Sequence, residues 1–330
     1  MSRISKRQAC ALALAAVLVG LGASQLLSSE AAESPNGPAA TPTPSADGGP
    51  RLRAFSADSW WNAPLPVNAP TSPDAERTLA YMRSGRDAGG GCLSLAGTEG
   101  NRWGQPVFWA KAGDPEFNVH VRTPSPRPEE LKNLRIPLAA EAARTSDQAM
   151  TLFDLERGYV VAFTGARYQE ARGTWRARGA TVTYLDSNGL NVGTGRSDDP
   201  RNIGSHRGNN GATMMVRYDE VVRGDIGHVL KVSSGPETSR HWVFPMVGSD
   251  GSSSDPDAPR QGVRFRIKPS VDLDALDLHP QAQVIAVALQ RFGMYLGDNA
   301  GRTALKLEDT RAAGQGQAWR LSSTALCSLP

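Results

Sequence analysis

Apolar and polar residues alternate over many short stretches of this chain. Period two is the pattern of a strand with one buried and one wet face. Residues 117–121 place Phe117, Val119 and Val121 on one side and Asn118 and His120 on the other. Residues 134–138 alternate in the same way, and residues 175–184 do so through Ala180, Val182 and Tyr184. The sharpest case sets Val263, Phe265 and Ile267 against Arg264, Arg266 and Lys268. Further runs at 150–155, 159–164, 213–218, 229–232 and 242–246 are short and hold β-branched or aromatic residues. Clusters of Gly, Asn, Asp and Pro, as at 186–189, 208–211 and 248–259, punctuate them. Two stretches read as helices. Residues 73–83 follow Ser72, a capping residue type, and carry Pro73 in the first turn. In the second, Pro280 opens, residues 281–292 fill and Gly293 stops. Ala282, Val284, Ile285, Val287, Ala288 and Leu289 cover more than one stripe of it, so it is expected to lie buried across a sheet. The pattern predicts an all-β, mainly antiparallel fold, sandwich or jelly-roll-like, with one buried covering helix; a distorted barrel is the alternative.

The amino terminus follows a different rule. Arg3, Lys6 and Arg7 precede a small apolar run at residues 11–22, the pattern of a secretory signal. That run is short for a membrane span, which needs about 20 residues. A signal at residues 1–32 with cleavage near Ala31 or Ala32 is therefore expected; an uncleaved surface anchor is the alternative. Residues 33–53 are dominated by Pro, Gly, Ala, Ser and Thr and read as a linker. A single β-rich domain at residues 54–330 follows, acting outside the cytoplasm and expected to be a monomer.

The formal charge of +3 falls to about +1 once residues 1–32, with three bases and one acid, are removed. A near-neutral domain without a basic stripe has no electrostatic case for nucleic acid. Cys92 and Cys327 remain after that removal, and two cysteines in an exported chain most simply pair. Closing so long a loop is worth about 4 to 5 kcal/mol at best in chain-entropy terms.

Candidate chemistry is scattered, and no nucleophile elbow, zinc motif or phosphate loop stands among it. Glu220 and His228 lie close in sequence around a turn, as an acid–base pair or as a buried structural pair. Asp147 stands at the entrance of the run at 150–155, as a cleft carboxylate or a turn cap, and Asp154 lies within it, seven residues on and on the other strand face, so that the two meet only across a turn. The row Arg264, Arg266 and Lys268 needs an acidic partner, either the chain's own Asp298 or an acidic ligand such as a uronate. The adjacent pair Trp60 and Trp61, read as extended, points two ways, so at least one ring is expected to be free as a sugar platform. No cofactor is expected, although the Asp-rich loop at 250–257 leaves a structural calcium open.

The segments at 55–66, 146–154, 219–230, 262–268 and 280–299, in this order, resemble a group of secreted proteins from actinobacterial-type soil bacteria. Most of that group carry no assigned activity, and some are linked to carbohydrate-binding modules. The resemblance covers nearly all of the mature chain. It implies a histidine shortly after Asp147, where this chain has Gln148.

Two function classes are compatible with these features. One is a secreted glycan-active enzyme, either a hydrolase using a carboxylate pair among Asp147, Asp154, Glu220 and Asp298, or a lyase. The lyase form takes His228 or a tyrosine as base, with Arg264 or Lys268 neutralising a uronate. The other is a module that binds a polysaccharide without cleaving it, through exposed aromatics. Converging carboxylates in a deep groove distinguish the first from the second.

Overall fold

The structure of the chain is a computed structural model, and it describes residues 14–17, 52–84, 87–204, 207–312, 316–327 and 329. The segment read as a signal, its expected cleavage site and most of the stretch read as a linker lie outside the described residues, apart from Leu14–Val17. The first strands are β1 (Leu14–Val17), β2 (Ser94–Ala96), β3 (Val107–Trp109), β4 (Glu116–Phe117) and β5 (His120–Thr123). Next come β6 (Leu134–Arg135), β7 (Met150–Asp154), β8 (Tyr159–Thr164), β9 (Arg167–Gln169) and β10 (Thr174–Tyr184). The last are β11 (Leu230–Ser234), β12 (Arg264–Ile267), β13 (Met294–Asn299) and β14 (Ala304–Lys306). The α-helices are α1 (Ala75–Met82), α2 (Tyr218–Arg223) and α3 (Pro280–Arg291).

One sheet runs β1-β12-β13-β11-β14-β2 and a second β3-β7-β8-β10-β5, with β9 beside β10 and β4-β6 apart. The fold is β-rich and built from several sheets, one of them curled. It is more mixed than expected. Parallel pairs join β3 to β7, β5 to β10, β11 to β13 and β2 to β14. Parallel pairing needs crossovers, and the helical and loop segments between these strands provide them.

Burial explains which strands alternate. All five residues of β7 are buried. Leu152 packs with Val161, Val182 and Leu134 on one face, while Phe153 packs with Val160, Ala212 and Met215 on the other. Strands covered on both faces lose the alternating signature. In the first sheet Leu95, Leu230, Val232, Leu296 and Leu305 join Ile285 and Leu289 of α3 and Leu79 of α1 in the largest core. Thus all three α-helices contribute to that core, α2 through Val221, and not one alone. The runs at 213–218 and 242–246 form turns and the start of α2 in place of strands.

Gly293 makes the sharp exit from α3. Its φ is +71°, and a Cβ there would stand 2.3 Å from the Phe265 carbonyl. Only glycine fits that combination. At the other end, Cys92 and Cys327 are disulfide-bonded with Cα atoms 4.7 Å apart, which fixes the carboxy-terminal segment beside β2.

The row on β12 departs from its expected role. Arg264 and Arg266 are buried, and their guanidinium groups donate to backbone carbonyls: Arg264 to Ala63 and Phe292, Arg266 to Pro66. Their partners are chain carbonyls and not Asp298. The tryptophan pair departs too. The segment turns at 60–62, Trp61 is 2% exposed with its Nε1 donating to Gly189 O at 2.8 Å, and Trp60 packs edge-on against Phe244.

Candidate functional site

The first sheet has a second face, opposite the helices. Alternation along its strands puts Ser94 and Ala96 of β2, Ala304 and Lys306 of β14, and Lys231 and Ser233 of β11 on that face. A register irregularity between Val232 and Ser233 sets Asp298 of β13 opposite Ser233. These side chains floor a cleft of about 1650 Å³. Its walls come from residues 99–103, from 300–302 and from the carboxy-terminal segment held by the disulfide. Asp147 reaches it from the turn before β7. The volume exceeds the several hundred Å³ of a typical small-molecule site and suits a chain-like ligand.

The lining is basic. Arg102, Lys231, Arg302, Lys306, Arg311 and Arg320 face it against Glu99, Asp147 and Asp298. Arg311 is already paired with Asp309 at 2.7 Å, whereas Arg102, Arg302 and Arg320 are exposed. Trp103, half exposed at 50%, is an aromatic surface on the same wall.

Lys231 and Asp298 form a charged pair on the cleft floor. The ammonium Nζ lies 3.9 Å from Asp298 Oδ2, outside hydrogen-bond reach. Two glycines make room for the lysine stem: a Cβ at Gly297 would sit 2.7 Å from its Cε, and one at Gly211 3.1 Å from its Nζ. Burial pushes the Lys231 amine down to about 8; Asp298 and Asp250 oppose that, while Arg207 and Lys306 add to it. Burial raises the Asp298 carboxyl, but Lys231, Arg207 and Lys306 outweigh it and hold the group below the usual aspartate range. Arg207 bridges Asp298 at 3.2 Å and Asp250 at 2.7 Å, so Asp298 is fixed as an anion.

Glu220 and His228 do meet, but elsewhere. Glu220 lies on α2, 2% exposed, with its oxygens 3.1 and 3.2 Å from His228 Nε2. Arg217, 1% exposed, donates to Glu220 Oε1 at 2.8 Å and to Asp219 at 3.1 Å. Burial disfavours the Glu220 anion, yet Arg217 and His228 hold its carboxyl below the ordinary range. His228 Nδ1 is 2.8 Å from Val229 O. Glu220 and His228 line a cavity of about 270 Å³ with Trp61 and Phe292. The arrangement is a saturated ionic knot that ties α2 to the start of β11.

The remaining candidates separate. Asp154 is fully buried, 3.6 Å from Arg135 and 3.8 Å from Arg157, and lines neither cavity. Gln148 sits at φ +43° and accepts from Arg167 Nε at 2.7 Å. Lys268 follows the end of β12, and its carbonyl accepts from Gln290 Nε2. Asp250 and Asp257 each face an arginine, Arg207 and Arg77, and among the described residues no group of three or more candidate metal ligands gathers. Of the five carboxylate and histidine candidates, then, Asp147 and Asp298 share the large cleft. Lys231 and Arg207 were not singled out by sequence. Lys231 occupies a wet-face position on its strand, and nothing local marks the glycines that bury its stem.

No protein family, curated protein or solved structure matches the chain.

Proposed function

We propose that the chain is a glycan-active enzyme of the cell exterior whose substrate, an acidic polysaccharide, lies along the large cleft. The observation that carries this reading is the lining: basic side chains outnumber acidic ones around a groove that also holds Asp147, Asp298 and an exposed indole. Guanidinium groups bind carboxylates in a bidentate way, and an indole face stacks on apolar sugar faces. The disulfide fits an oxidising compartment. The two large sheets are taken as sandwich-like layers that hold the cleft rigid. Trp103 favours a second reading, in which the groove binds the glycan and leaves it intact.

The test is incubation of the purified chain with uronic and neutral polysaccharides. New chain ends on the uronic substrates only, abolished by Asp147→Asn, are the expected result. Retention on an acidic glycan without any cleavage selects the binding reading, and indifference to all of them removes both.

A further inference from the structure

We infer that Lys231 is the proton-abstracting base of a β-elimination on a polyuronate chain in the cleft, an inference that rests on the glycan-active reading above. The geometry comes first. Lys231 rises from the cleft floor on β11, a rigid element, with its stem seated against Gly211 and Gly297. Its amine is near a carboxylate without being hydrogen-bonded to it, and the residue lines the cleft in which a substrate would lie. Exposed arginines on the walls are placed to neutralise a uronate carboxylate. Neutralising that group acidifies the adjacent C5–H, the proton an eliminating enzyme must remove.

The charges around Asp298 argue against the hydrolytic alternative at this position. Glycoside hydrolysis needs one carboxyl kept protonated. Asp298 is driven the opposite way by Lys231, Arg207 and Lys306. An amine pushed down to about 8 by burial, by contrast, is partly neutral in mildly alkaline solution and can accept a proton.

The step balances. Lys231 Nζ takes the C5 proton and becomes an ammonium ion. The C5–H electron pair forms the C4=C5 double bond. The C4–O4 bond breaks and its pair leaves on O4, which is protonated by water. The ammonium returns its proton to the hydroxide so formed. Asp298, 3.9 Å away, stabilises the transient ammonium. The groups that set the pH response are Asp298 on β13, Lys306 on β14, and Arg207 and Asp250 on the flanking loops.

The experiment uses the full chain with polygalacturonate, alginate and hyaluronan, reading both total new chain ends and unsaturated uronyl ends. Unsaturated ends are expected, with a rate that rises with pH and levels off above about 8. Lys231→Met and Lys231→Arg should each lose roughly 10²- to 10⁴-fold. The arginine variant keeps the charge but cannot become neutral. Competitive acetylation of the unmutated chain, read by mass spectrometry, should half-titrate Lys231 near pH 8 and be blocked by the cleaved polyuronate; this covers the case in which a variant does not fold. Cleavage without unsaturated ends, or full elimination by Lys231→Arg, overturns the role of Lys231 while the glycan-active reading stands. No cleavage of any substrate overturns both.

Discussion

Glu308 is a buried carboxyl whose protonation is coupled to folding. It is 7% exposed and accepts from the Tyr218 backbone N–H at 2.9 Å. Burial pushes it up to about 7 from 4.5; Asp219 and Glu220 add to the rise, and the Tyr218 N–H and Arg217 oppose it. The folded state therefore keeps a proton that the unfolded state releases at lower pH. Stability from this group is fully present below about pH 4.5 and is lost as pH rises through 7. The loss is on the order of 3 kcal/mol. Glu308→Gln should melt higher than the unmutated protein at about pH 8 and match it at about pH 4, in thermal scans at both values. An unchanged gap across that range would mean the carboxylate finds compensation on ionising. Nothing local distinguishes Glu308 from the neighbouring Asp309 in the run Leu307-Glu308-Asp309-Thr310. Its environment comes from Arg217, Asp219 and Glu220, about ninety positions earlier.

At the scale of elements, α2 and the β12–α3–β13 unit carry opposite lessons. The α3 signals, Pro280 at the start and Gly293 at the exit, are local stereochemistry and are visible in sequence. Gly293→Ala should be strongly destabilising, because the added Cβ meets the Phe265 carbonyl at 2.3 Å in a left-handed conformation; urea unfolding midpoints measure it. The helix α2 has six residues, too few for a periodic signal, and depends on its ionic knot. Glu220→Gln leaves Arg217 buried with one fewer counter-charge. A cost of about 3 to 5 kcal/mol is expected from equilibrium unfolding. A shift near zero would mean that Asp219 alone holds the guanidinium.

Across the whole molecule, the disulfide links stability to the shape of the cleft. It joins residues 235 apart, and constraining so long a loop in the unfolded chain is worth about 5 kcal/mol at most. The segment it secures also supplies Gln317, Trp319, Arg320 and Ser322 to the cleft wall. Cys92→Ser should therefore lower Tm and weaken retention on an acidic polysaccharide, measured by differential scanning and by affinity electrophoresis. A lower Tm with unchanged retention would show that the wall stands without the bridge. The cysteine pair was legible because the expected loss of Cys10 with a signal segment would leave only two thiols; its place beside the cleft was not.

The sequence alone determined the short-strand, turn-rich character of the domain, the extent of α3, the stop at Gly293 and the pairing of Cys92 with Cys327. Each depends on local backbone preference or, for the cysteines, on the simplest pairing left if Cys10 departs with a signal segment. It also brought Glu220 and His228 together, since they lie on either side of one turn. Only the tertiary structure decided that Arg264 and Arg266 are spent on chain carbonyls and that Trp61 is core. It alone decided that Asp147, Asp298 and Lys231 share one cleft. Those outcomes turn on which face of a mixed sheet is covered and by what. Alternation assigns side chains to two faces but does not say which face the helices will take.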